Sequence, residues 1–152
     1  MQPFFDDYLK LMQTRHDEIL KALEGLPPNA LDWTPGPDTN SISVMIFHLT
    51  GAERYWIGDI AAQESSKRDR DAEFKVHNVE MDALKKRLDD NLVYARKALE
   101  KFTLQDLEAQ RIVPRDGSKV LVGGALLHAL EHMTTHLGHI QLTRQLWEQS
   151  QK

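Results

Sequence analysis

Apolar residues recur every three or four positions through four long stretches of this 152-residue chain, a period that puts them on one face of a helix and demands a partner for that face. The first stretch runs from about Pro3 to Leu23, with Phe5, Leu9, Met12, Ile19 and Leu23 on one stripe and Gly25 placed to end it. LPPNALDWTPGPDTN then reads as loop, because four prolines and a Gly-Pro step do not continue a helix. A second helix starts near Asn40 or Ser41, either able to cap it, and carries Met45, His48, Leu49, Ala52, Tyr55 and Trp56 inward. QESSKRDRDAEFKVH mixes charges without an apolar period and reads as a solvated connector, with His77 a loop or helix-start residue at its end. The third helix, about Asn78 to Phe102, has the cleanest stripe: Met81, Leu84, Leu88, Leu92, Ala95 and Leu99. Thr103 and Asp106 form a capping-box signal, Asp116-Gly117 between RIV and KVL predicts a small hairpin, and Gly123-Gly124 opens a last helix that runs to about Trp147. The expected fold is therefore all-α, a four-helix bundle in one domain over 1–152, with a short β-hairpin-like segment before the last helix. Its linkers exceed the roughly two to eight residues usual in bundles, so simple up-and-down winding and a parallel crossover both stay open.

Composition narrows the chemistry. A hydrophobic share of 41% with 28% charged residues describes an ordinary globular chain, and the net charge of -4 offers no basic field for nucleic acid or an anionic membrane. There is no cysteine, so any soft-metal site has to be built from histidine or carboxylate, and no disulfide is available. The start MQPFFDDYLK lacks the features of a leader, and no apolar run approaches a membrane span; the expected compartment is the cytoplasm.

The candidate site residues are histidines. His132 and His136 lie four apart and hence one turn above each other on the last helix, able to aim two imidazoles at one point. At about 100° per residue, Leu126, Leu130, Met133, Leu137 and Ile140 define that helix's inward arc, His136 borders it, and His132 sits about 40° beyond. His128 and His139 fall further onto the polar side. His48 is on the inward stripe of its own helix, where an unpartnered imidazole is costly. It is either a third metal ligand or a core histidine bonded to a carbonyl or tyrosine hydroxyl. Three imidazoles would leave one coordination position free, as in catalytic zinc sites. His16, inward on the first helix, reads as structural or as support for a ligand.

Other chemistries fit less well. Met133 stands where a zinc protease of the His-Glu-x-x-His type places its glutamate, and Glu131 points off the face. The paired Glu-x-x-His motifs of di-iron bundles, Gly-x-Ser-x-Gly and a phosphate loop are all missing. Asp59 shares a stripe with His48 but lies about 16 Å along a straight helix, too far to be a ligand.

On these residues the chain resembles the DinB/YfiT-like family of metal-dependent four-helix bundles, to which thiol-using S-transferases also belong. GLPPNALDWTPGPDTNSISVMIFHLTGAERYW is similar to the family's loop and histidine-bearing second helix, and DGSKVLVGGALLHALEHMTTHLGHIQLTRQ to its hairpin and last helix. The resemblance carries the metal-ligand roles onto His48, His132 and His136 and implies one divalent transition metal, zinc or nickel. Many relatives continue the last motif with paired histidines and Arg-Gly-Gln, whereas here it reads Thr135-His136-Leu137-Gly138-His139, so a titratable ring replaces an amide.

The function so implied is activation of a thiol or water by the bound metal, with transfer of a low-molecular-weight thiol such as bacillithiol or mycothiol to a small electrophile ahead of hydrolysis. His139, His128 and Tyr55 are candidates for moving a proton or orienting substrate. Trp33 and Trp56, and with them Trp147, either wall the pocket or merely pack. The family also implies a possible homodimer. The alternatives are a non-catalytic metal-binding protein, with His128 or His16 closing the fourth position, and an interaction module whose histidines are only hydrogen-bonded.

Overall fold

The computed structural model describes residues 1–152. In chain order its elements are α1 (Pro3–Leu23), α2 (Pro28–Asp32), α3 (Ile42–Glu53) continued by a π-helical segment (Arg54–Ala62), α4 (Arg70–Glu73), α5 (Met81–Leu99), a 3-10 turn (Leu104–Glu108), β1 (Gln110–Ile112), β2 (Lys119–Leu121) and α6 (Val122–Ser150). The four long helices form the expected all-α bundle, and the two strands pair antiparallel with Arg111 opposite Val120, the predicted hairpin. Asp116 accepts the Ser118 amide at 3.0 Å, and Gly117 takes the left-handed φ of 71° that the turn requires.

Helix directions follow from bonds between distant residues. The Tyr8 hydroxyl donates to the Leu126 carbonyl at 2.7 Å, and Arg144 donates to the Lys21 and Ala22 carbonyls, so α1 and α6 run parallel. Arg87 reaches the Thr50 hydroxyl at 2.6 Å, and Asn91 and Tyr94 meet later residues of the same partner, so α3 and α5 are parallel too. The α1–α3 pair is antiparallel: Phe5 and Tyr8 share an apolar cluster with Ile57 and Ile60, Ile19 and Leu23 another with Ile42 and Ile46. The bundle is thus up-down-down-up, with α3 between α5 and α6. Of the two windings left open, this is the parallel crossover, and it falls between α3 and α5. The 18 residues from 63 to 80 must return along α5, about 28 Å at 1.5 Å per residue, which an extended strand of that length exceeds about twofold. The surplus is long enough to wrap against α3.

Three local expectations are corrected. The proline-rich loop contains α2, because Pro28 sits at a first helical position where its missing N–H costs nothing. The connector after residue 62 is not wholly solvated: Asp69 caps α4 by accepting the Ala72 amide at 3.0 Å, and Glu73 is buried. The third helix starts at Met81 and not near Asn78, whose left-handed φ of 53° and bond to Asp32 place it in a turn. Ser41, of the two cap candidates, caps α3 by accepting the Val44 amide at 3.3 Å. Beyond Glu53 the helix widens; Arg54 donates to Asp59, five residues on, and to the Glu64 carbonyl, both at 3.1 Å. A side chain at Gly58 would collide with that guanidinium. Asp59 also accepts from the Ser66 amide and hydroxyl, so it anchors the exit of this segment.

The apolar core is divided in two. One cluster gathers Phe5, Met12, Ile57, Leu99 and Met133, the other Ile19, Leu23, Ile46, Leu88 and Leu137. Each fully buried leucine or isoleucine contributes about 1.5–3 kcal/mol relative to exposure. Between the clusters lies a polar layer in which His16 of α1 reaches across the bundle axis to Glu53 of α3 at 3.0 Å, and Asn91 of α5 donates to the same carboxylate. No helix is long and apolar enough to cross a membrane.

Candidate metal centre

The packing of α3 against α6 brings His48 to His132 and His136. Ring centroids are 4.9 Å apart for His48 and His132, 5.1 Å for His48 and His136, and 4.5 Å for His132 and His136. One ring nitrogen from each lies within 4.8 Å of the other two. On α6 the inward arc follows the period except at its edge: Leu126, Met133, Leu137 and Ile140 are buried, Leu130, His132 and His136 half-buried, and His128 and His139 exposed.

His48 is held from behind by the crossover. Its Nδ1 is 3.1 Å from Glu73, and because a carboxylate only accepts, a bond there is donated by the ring and turns Nε2 toward His132. Glu73 is clamped by Arg68, Nε at 2.6 Å and Nη2 at 2.7 Å. Burial alone would raise the Glu73 pKa, but the bonds from Arg68 and His48 outweigh it and hold the carboxyl below its ordinary value. A methyl at Gly51 would collide with this carboxylate, so the glycine lets Glu73 lie against α3. Phe74 packs on the His48 ring with centroids 4.8 Å apart.

His132 and His136 have no such support. Each keeps a buried Nδ1 without a hydrogen bond. Burial, reinforced by the neighbouring rings, pushes the pKa of His132 down to about 3 and that of His136 to about 4, so both are neutral at pH 7. His48 Nε2 approaches His132 Nε2 to 3.1 Å. Two nitrogens bonded to one tetrahedral zinc at about 2.0–2.1 Å are about 3.4 Å apart, so the pair needs only a small adjustment to share a cation. Three convergent imidazoles, His132 and His136 neutral and His48 fixed by a buried carboxylate, are a donor set that fits a divalent transition metal.

Beside His136 opens a cavity of about 350 Å³ whose apolar wall is Met45, Leu142 and Leu146, with Asn40 and His139 at its polar edge. The His139 ring is 5.4 Å from that of His136. The remaining candidates fall elsewhere. His128 packs against Trp56 at 4.4 Å and stands outside the cluster, and His16 is turned to Glu53, so neither offers a fourth nitrogen. Tyr55 and Trp56 are half-buried against the first core cluster, Trp147 packs on the second, and Trp33 ends α2 away from the cavity lining. His77 is an exposed linker residue bonded to the Lys75 carbonyl.

Arg68 and Glu73 went unread in the sequence, because five residues apart in a charged run they resemble any solvated pair. The available signals were Asp69 as a helix cap and Phe74 and Val76 as apolar residues within that run.

Comparison with known proteins agrees with this architecture. The profile of the mycothiol-S-transferase family matches residues 8–149. A conserved protein of Enterococcus faecalis is similar in structure, with a TM-score of 0.79 at 14% identity over 96% of this chain and 98% of that one. A mutant of the mycothiol-dependent maleylpyruvate isomerase gives 0.66 at 11% identity, covering 90% of this chain and 62% of that one. A Streptococcus pneumoniae protein gives 0.66 at 11% identity, covering 95% and 90%. These likenesses show the fold, and no curated protein matches the chain. The extent of the family match, from early in α1 to the end of α6, shows that the chain belongs to the mycothiol-S-transferase family.

Proposed function

We propose that this protein joins a low-molecular-weight thiol of the mycothiol class to an electrophilic carbon, using one divalent cation, zinc or nickel, held by His48, His132 and His136. The observation that carries the reading is the meeting of three imidazoles, one ring nitrogen of each within 4.8 Å of the other two, with His136 also lining a cavity that has an apolar wall. Bound there, the cation supplies the positive charge that turns a thiol into a thiolate at neutral pH.

The chain's own residues do the rest. Glu73, clamped by Arg68, fixes the tautomer and orientation of His48. Met45, Leu142 and Leu146 exclude water from one side of the reacting sulfur and seat the apolar part of the electrophile. His139 takes the thiol proton and passes it to solvent or to the leaving group. The sulfur–carbon bond forms as the bond from carbon to the leaving group breaks, and no oxidant is consumed. The name of the structurally similar isomerase, which includes mycothiol dependence, favours a thiol over water as the nucleophile. A reducing cytoplasm keeps such a thiol available and suits a chain without cysteine.

Elemental analysis together with thioether formation, followed by mass spectrometry for mycothiol or bacillithiol and an activated aryl halide, tests this. Wild type is expected to hold about one metal per chain, and His136→Ala to lose metal and turnover in step. Full turnover in a metal-free variant would overturn the metal role, and metal without thiol transfer would overturn the reaction.

A further inference from the structure

A cavity of about 680 Å³ is larger than the one beside the histidines and distinct from it. It lies on the α5 side of α3, roofed by the crossover, and is within the size range of small-ligand sites, about 300–1,000 Å³. Arg54, Arg68, Lys86 and Arg87 reach into it from three elements, against the carboxylates Asp69, Glu73 and Asp90. Those carboxylates are occupied. Glu73 is bound to Arg68 and His48, Asp90 pairs with Lys86 at 2.6 Å on the exposed rim, and Asp69 caps α4.

Arg87 is the exception among the cations. Its guanidinium donates only to neutral groups, Nε to the Thr50 hydroxyl at 2.6 Å and Nη2 to the Phe47 carbonyl at 3.4 Å, and it stacks 4.2 Å from the Phe47 ring. No carboxylate lies within ion-pairing distance of it, and it is half-buried, so water solvates it incompletely. Thr50 and Phe47 hold the planar group in place and leave Nη1 free. Arg54, over the Tyr94 ring at 3.7 Å, uses only Nη1 for its bonds to Asp59 and Glu64 and also faces the cavity. A fixed guanidinium that feels Glu73 and Glu53 only from beyond pairing distance, with the Asp59-paired Arg54 beside the same cavity, is suited to an oxyanion, because the fork matches two oxygens of a carboxylate or phosphate.

We propose that this cavity, which shares the Arg68–Glu73 clamp with the histidine centre but none of its imidazoles, is a second ligand site that binds a small molecule through a carboxylate or phosphate group on Arg87, with Arg54 as the second contact. Calorimetric titration of the intact chain with inorganic phosphate and with succinate, at ionic strength fixed by sodium chloride, tests it and separates the two anion chemistries. Saturable binding of either anion is expected, weakened at least tenfold in Arg87→Gln and unchanged in His136→Ala. Amide NMR shifts on titration, concentrated at Phe47, Thr50 and Asn91, give a readout that needs no variant. No saturable binding of either anion overturns the proposal, as does binding that survives Arg87→Gln in folded protein or disappears in His136→Ala.

Discussion

Two groups of histidines lie in one bundle and are satisfied in opposite ways. His16 is fully buried, 0% exposed, with its Nε2 between both oxygens of Glu53, which is itself 1% exposed and bonded to Asn91. Its Nδ1 lacks a well-formed hydrogen bond but lies close enough to the Leu88 carbonyl to gain proton affinity from it. His132 and His136 are less buried, yet their near neighbours are other histidines and their Nδ1 atoms have no partner. A buried polar group bonded within the protein specifies packing; one left unbonded beside other donors calls for something the chain does not itself provide. Sequence position does not separate them, since His16 and His48 are both inward histidines on long helices. The partner does: Glu53 holds His16 from across the bundle, whereas Glu73 orients His48 and turns its other nitrogen to His132.

The largest test of this contrast is Glu53→Ala. Leaving His16 and Asn91 without their carboxylate should cost about 3–5 kcal/mol of stability in urea unfolding, with the metal content of the folded protein unchanged. A variant that keeps its stability would remove His16–Glu53 from the structural side of the comparison. Next comes added zinc. At about 100 times its dissociation constant it should stabilise the metal-free chain by about 2.7 kcal/mol, an effect absent in His132→Ala and kept in Glu53→Gln. Smaller again is the expected loss in Glu73→Gln: a folded protein whose zinc affinity, read by competition with a chelating dye, falls about 10- to 100-fold. Gly51→Ala should move in the same direction by displacing the carboxylate. If neither changes affinity, the crossover does not position His48.

Much of this was legible in the sequence, and the reasons for the gaps are physical. The stripe Leu84, Leu88, Leu92, Ala95 and Leu99 fixes one buried face of α5, and the arc on α6 orders its histidines by depth, because helical period maps directly onto exposure. That His48 meets His132 and His136 also followed, but only with help from resemblance, since period says which way a residue faces and not which helix it meets. The crossover direction was undetermined because linker length permits both windings. The Arg68–Glu73 clamp stayed hidden because a buried ion pair and a solvated one are written with the same letters. His16 raised the same ambiguity, and only Glu53 across the bundle axis resolves it.

The most discriminating experiment is a pH series, where the two groups carry opposite signs. His132 and His136 bind protons less readily when folded, near 3 and 4, than at the unfolded value of about 6.5. The unfolded chain therefore holds more protons within that window, and the metal-free protein loses stability as pH falls from about 6.5 toward 4, with no contribution from this pair above it. Partial exposure lets solvent screen the effect, so the slope should stay well under about 1.4 kcal/mol per pH unit for each group. His16 behaves in reverse. Burial lowers its proton affinity, but the charge and hydrogen bond of Glu53 outweigh this and raise it, so its stabilisation is complete below about 6.5 and is lost as pH rises through the folded value. Urea midpoints of metal-free wild type, the His132→Ala/His136→Ala double variant and His16→Gln should then diverge: subtracting the double variant isolates the acid slope from other carboxylates, and subtracting His16→Gln isolates the alkaline loss. Curves that shift together would mean that the two groups share one environment after all.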